Sequence, residues 1–141
     1  MQSFPQDRTA SSNTPSTTIT LLVGDVVMLL LFVVVGRLSH GLTQDWIPNI
    51  ARIATPFLIG WLVAAFAVGA YRENLVDRPM AFLARSALAW LVGDALGFLL
   101  RAFVFQDIVI RPFALATLAF TGLFLLGWRC IFLIWARRTQ R

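Results

Sequence analysis

The sequence predicts an all-α integral membrane protein, a four-helix bundle with both termini in the cytoplasm. Three observations lead there. Of 141 residues, 58% are hydrophobic and 13% charged, whereas an ordinary soluble domain is roughly 45–50% apolar. The mean hydropathy is +0.75, and the apolar residues gather into four runs. Each run can cross a hydrocarbon core of about 30 Å at about 1.5 Å of helical rise per residue. Most of the charges lie between the runs or at their ends. A soluble domain this small keeps much of its surface wet and could not hide so much apolar side chain.

Residues 1–17 are mostly Ser, Thr, Gln, Asn and Pro, too polar to offset the entropy of ordering, and read as a disordered tail. They do not read as a signal peptide, because the first apolar run starts near Ile19 with little basic flank and no small-residue cleavage pattern after it. One domain follows, residues 18–136, with helices at about 18–38, 49–71, 80–103 and 111–136. The first is interrupted only by Asp25. The second contains nineteen uncharged residues from Ile53 to Tyr71. Pro56 is either a first-turn proline there or an interior one that kinks the helix, and the helical look of Asn49 to Ala54 favours the kink. The third carries Arg85 and Asp94. The fourth has seventeen uncharged residues from Pro112 to Trp128, then Arg129, then a further apolar stretch stopped by Arg137 and Arg138. Residues 137–141 form a basic tail. Pro79 and Pro112 fall where a first helical turn needs no N–H partner.

Four spans place both termini on one side, so the arginines can orient the bundle. One side carries Arg8, Arg72, Arg78, Arg85, Arg137, Arg138 and Arg141; the other carries Arg37, Arg52, Arg101 and Arg111. The excess of basic residues near the first set assigns that side to the cytoplasm. Trp46 on the outer side and Tyr71 and Trp135 on the inner side suit an interfacial aromatic belt.

Several function classes drop out. The net charge of +5 comes from twelve Arg and no Lys against seven acids, but the arginines mark helix ends and form no continuous patch, so no nucleic-acid partner is expected. With one Cys, Cys130, and one His, His40, neither an intrachain disulfide, a zinc set nor a pair of axial haem histidines can be assembled. No metal or other cofactor is expected. No nucleophile and base, phosphate loop or acid–base pair is visible, so no catalytic residue is assigned and the chain reads as a non-enzyme.

The residues that need explaining are the intramembrane charges Asp25, Asp94 and Arg129. A charge at the helix centre costs about 2.5–3.5 kcal/mol on insertion scales, so such residues face the bundle and find partners. Counted from the cytoplasmic side, Asp25 lies about 10 Å deep and Arg129 about 12 Å. The matching depths predict an ion pair between the first and fourth helices. Asp94 and Arg101, seven residues apart, share a helix face with Trp90 and Gly97. Arg101 and Arg37, snorkelling at the outer boundary, are expected to reach toward Asp94 in a second cluster. These charges either tie the helices together or carry a proton or cation. The tie is favoured, because an arginine beside a carboxylate keeps it ionised, the wrong property for a proton carrier.

Small residues recur at four-residue spacing: Ala89, Gly93 and Gly97; Gly60 and Ala64; Ala65 and Gly69. Such ladders let helices approach closely, first within one chain. Ser39 and His40 follow the first helix at the outer surface, where a lone His commonly bonds locally or favours the helix dipole. They stand as outer-surface candidates.

Taken together, GlyAsp at Gly24 and Asp25, GlyArgLeuSerHisGly from Gly36 to Gly41, ProPhe at Pro56 and Phe57 followed by Gly60, GlyPheLeuLeuArg from Gly97 to Arg101, and LeuGlyTrpArg from Leu126 to Arg129 resemble the domain-of-unknown-function 3054 family of small prokaryotic membrane proteins. The resemblance covers about Leu22 to Arg129. It implies a prokaryotic cytoplasmic-membrane location and carries no activity, substrate or cofactor. It singles out Asp25, Arg37, Ser39, His40, Arg101 and Arg129. The family is richer in glycine over the stretch that is Ala102 to Arg111 here, so this chain departs from it there.

The expected function is that of a non-enzymatic accessory or structural component acting through membrane partners. The alternative is a small proton- or cation-coupled secondary transporter working as a dimer, with Asp25 binding substrate and protons in turn and Arg129 pointing elsewhere. The expected partners are the lipid bilayer and either a second copy of the chain or a component of a membrane complex.

Overall fold

A computed structural model describes residues 15–72 and 76–139. Four helices account for most of them: α1 (Pro15–Ser39), α2 (Trp46–Ala67), α3 (Pro79–Phe103) and α4 (Arg111–Thr139). Each is long and apolar enough to cross a membrane, and no strand occurs among the described residues. Residues 1–14, most of the polar tail, lie outside the described residues, as do 140 and 141 at the end of the basic tail. α1 begins at Pro15, inside the stretch assigned to the tail, with a proline whose φ is already helical. The helices pack as a ring in chain order: α1 on α2, α2 on α3, α3 on α4 and α4 on α1.

The turns between α1 and α2 and after α2 use the same device. Gly41 sits at φ 65° and Gly69 at φ 68°, the left-handed conformation that costs glycine least. After α1, Leu42 N–H donates to Arg37 C=O and Gly41 N–H to Leu38 C=O, both at 3.0 Å. After α2, Ala70 N–H donates to Ala65 C=O at 2.8 Å and Gly69 N–H to Phe66 C=O at 3.1 Å. This paired pattern satisfies the last carbonyls and ends a helix. α2 therefore stops at Ala67, four residues short of the expected Tyr71, and Gly69 is the stop and not a rung of a packing ladder. Arg85 reinforces it, donating from Nη1 to Val68 C=O at 2.6 Å. The chain then turns back under the bundle, so that Ala70 and Tyr71 are buried.

Pro56 lies ten residues into α2, the interior placement. α2 and α3 meet over their glycines. A Cβ on Gly60 would collide with the Gly93 carbonyl, and one on Gly97 would lie 2.5 Å from the Phe57 ring. Ala89, Gly93 and Gly97 are all buried, so this ladder is consumed within the chain.

The interior is largely apolar, as in a protein folded in water, but the helix surfaces are apolar as well and the few polar side chains along the spans turn inward. Asp25, Ser86, Thr121 and Arg129 have no exposed surface at all, whereas Leu123, Ile131 and Trp135 are each more than half exposed. Apolar side chains outside and hydrogen-bonded polar ones inside is what a bilayer solvent selects, since lipid offers no hydrogen bonds.

Candidate functional site

The centre of the bundle is an ion pair between α1 and α4. Arg129 donates from Nε to Asp25 Oδ1 at 3.1 Å and from Nη2 to Oδ2 at 2.6 Å, the two-pronged geometry in which a planar guanidinium matches a carboxylate. Both side chains are completely buried. The same carboxylate oxygen accepts the Tyr71 hydroxyl at 2.5 Å and the Trp61 indole N–H at 3.3 Å. Trp61 also donates to the Tyr71 oxygen at 3.1 Å.

The other arm of Arg129 reaches the far side of the ring. Its Nη1 donates to Ala70 C=O and to Ser86 Oγ, both at 3.2 Å, and Ser86 in turn donates to Phe82 C=O at 2.7 Å. The guanidinium carbon lies 5.0, 4.9 and 5.6 Å from the ring centroids of Trp61, Tyr71 and Phe82, distances at which aromatic faces stabilise a cation. One arginine thus touches α1, α2, the turn after α2, and α3 while standing on α4. On the same level Gly24 leaves room for the Trp128 ring, which a Cβ there would strike.

Asp94 does not join Arg101 or Arg37, contrary to the expected outer cluster. It accepts the Thr121 hydroxyl at 2.5 Å, and Trp90 Nε1 donates to the Thr121 oxygen at 3.1 Å. Thr121 also lies 2.8 Å from Thr117 C=O; with a single hydroxyl proton it can serve only one of the two acceptors at a time. Trp90 packs its ring against Gly122, where a Cβ would lie 2.7 Å away, and this packing aims the indole N–H across the α3–α4 interface. Asp94 is thus a buried carboxyl that pairs with no arginine among the described residues.

Arg101 pairs instead with Asp107 of the α3–α4 connection at 3.3 Å, and Arg52 holds the same carboxylate at 2.6 Å. Arg37 donates to Gln44 C=O at 2.6 Å and lies 5.9 Å from the Trp46 ring centroid. The reason is reach: both arginines stand near the ends of their helices, and acceptors in the adjoining connections are closer than a carboxyl two turns deeper. Ser39 donates to Val35 C=O at 2.8 Å, and both Ser39 and His40 are exposed. Among the described residues no group of three His, Cys, Asp or Glu side chains comes together that could hold a metal ion.

The family described as protein of unknown function (DUF3054) matches residues 22–132, a span running from just before Asp25 to just past Arg129. The chain belongs to the DUF3054 family. No curated protein and no solved structure matches it.

For this DUF3054 member, residue-level reading missed five participants in the polar contacts: Trp61, Tyr71, Ser86, Thr121 and Asp107. Tyr71, placed in the aromatic belt, is 9% exposed and turned inward onto Asp25. Thr117 and Thr121, four apart in an otherwise apolar run, were the available signal for a polar face on α4. Asp107 was the one acid in the α3–α4 connection, between two arginines.

Proposed function

We propose that this membrane protein is a non-enzymatic structural or accessory component of a prokaryotic cytoplasmic membrane, with both termini in the cytoplasm, acting through partners in the bilayer. The observation that carries the reading is the saturation of the central ion pair. Four donors occupy the Asp25 carboxylate, one of them the Trp61 N–H that it shares with Tyr71, and Arg129 spends its remaining hydrogen bonds on two other parts of the chain, Ala70 and Ser86. A group so fully engaged serves as a tie between helices. Transport through Asp25 would require Arg129 to leave the carboxylate and return in every cycle, breaking charge-assisted hydrogen bonds that have no replacement in hydrocarbon.

Asp94 supports the transporter as a second reading. It is a buried carboxyl held by a neutral hydroxyl, so a change in its protonation would break no ion pair. The two readings separate in purified liposomes holding the full chain alone. The structural reading expects no proton or cation flux above protein-free liposomes and co-purification of a membrane partner in mild detergent. Flux that disappears in Asp94→Asn would establish the transporter instead. The orientation is checked by reporter fusions at the two termini, both of which should report cytoplasm.

A further inference from the structure

The outer half of the bundle contains a cavity of about 540 Å³ between α1 and α4, with Ile53 of α2 and Arg101 of α3 also on its wall. This falls in the range of roughly 300–1,000 Å³ typical of small-ligand sites. The α4 wall runs from Phe113 to Phe124 and is apolar apart from Thr117, a depth of about 16 Å by helical rise. Its polar lining, Arg37, Ser39, His40 and Arg101, gathers where α1 and α3 end.

Two of those residues carry unused donors. Arg37 is 7% exposed, spends its Nη2 on a neutral carbonyl, and its buried Nε has no acceptor. Arg101 has two more buried N–H groups without an acceptor, at Nε and Nη1. Arg101 must also share its one carboxylate with Arg52. Among the described residues Arg37 has no carboxylate partner. Buried guanidinium donors left unpaired are costly, and a desolvated cation excess at the head of an apolar channel selects an anion with an oily tail.

We propose that this cavity is the seat of one anionic phospholipid, its phosphate oxygens accepting hydrogen bonds from Arg37 and Arg101 and an acyl chain lying along the α1–α4 walls. A zwitterionic lipid fits less well, because its own ammonium group competes for the phosphate and adds to the positive charge already present. Guanidinium groups bind phosphate through paired charge-assisted hydrogen bonds, whichever leaflet supplies the lipid.

The test uses the full chain in mild non-ionic detergent, exposed to phosphatidylglycerol or to phosphatidylcholine of the same chain length, with retained lipid counted by native mass spectrometry. One phosphatidylglycerol per chain is expected, retained at least about tenfold over phosphatidylcholine. Arg37→Gln should bring retention down to the phosphatidylcholine level. Ala116→Phe, which narrows the cavity wall and leaves both arginines in place, should also abolish retention, and it decides the matter if Arg37→Gln does not fold. Inorganic phosphate alone should not displace the lipid. Equal retention of the two lipids, full retention in Ala116→Phe, or displacement by inorganic phosphate would each overturn the proposal, the last by showing that the arginines bind a free anion without the channel.

Discussion

Replacing Asp25 with alanine removes the acceptor of four donors at once and leaves Arg129 as a buried cation with no counter-charge. Breaking a buried pair from one side costs about 3–5 kcal/mol, or roughly two to three and a half orders of magnitude in the ratio of folded to unfolded protein. Arg129→Met, which removes the cation while keeping volume, should cost a similar amount, because Asp25 then retains only Tyr71 and Trp61. Removing both charges together leaves no isolated ion, so the double variant should be less destabilised than the summed singles, by a coupling of about 2–3 kcal/mol. The assay is unfolding in mixed micelles of increasing SDS mole fraction, followed by tryptophan fluorescence, for the parent chain, both singles and the double. Strictly additive losses would refute the argument that the two groups stabilise the bundle through each other.

Other outcomes follow from the same contacts. Tyr71→Phe removes one charge-assisted donor from Asp25 and the acceptor of Trp61, and should destabilise by about 1.5–3 kcal/mol in the same titration, less than Asp25→Ala. Asp94→Asn keeps an acceptor for Thr121 and strands no cation, so its stability should change by less than about 1 kcal/mol; Asp25→Asn leaves Arg129 uncompensated and should fall near Asp25→Ala. Gly60→Ala drives a methyl into the Gly93 carbonyl and should cost about 1–3 kcal/mol. Gly36→Ala, with nothing within 4 Å of the new methyl, should be neutral or stabilising by up to about 1 kcal/mol. Thermal melting in detergent should reproduce that order.

The number of helices and the central ion pair were legible because lipid makes both conspicuous. An apolar run must be long enough to cross, and a charge inside it can be counted in from the nearer end. For Asp25 and Arg129 the count put both at one level. Asp94 gave no such purchase, since its partner Thr121 is neutral and looks ordinary in an apolar segment. Arg101 found Asp107 because the connection after α3 brings that carboxylate close, and the path of a connection does not follow from helical periodicity. Tyr71 was misplaced for a related reason. Gly69 fits a small-residue ladder as well as it fits a left-handed helix stop; read as a ladder it prolongs α2 toward the interface, whereas the stop turns Tyr71 inward. The cavity could not be foreseen either, because it depends on how far α1 and α4 separate beyond their contacts at Gly24 and Asp25.

The chain is dissolved in the bilayer, its apolar faces meeting lipid and its intramembrane charges Asp25, Asp94 and Arg129 sealed within. Washing membranes that contain the full chain with alkaline carbonate, without detergent, tests this directly. The account predicts that the protein stays entirely in the sedimented membranes. Its recovery in the supernatant as an intact, monodisperse species would contradict the account.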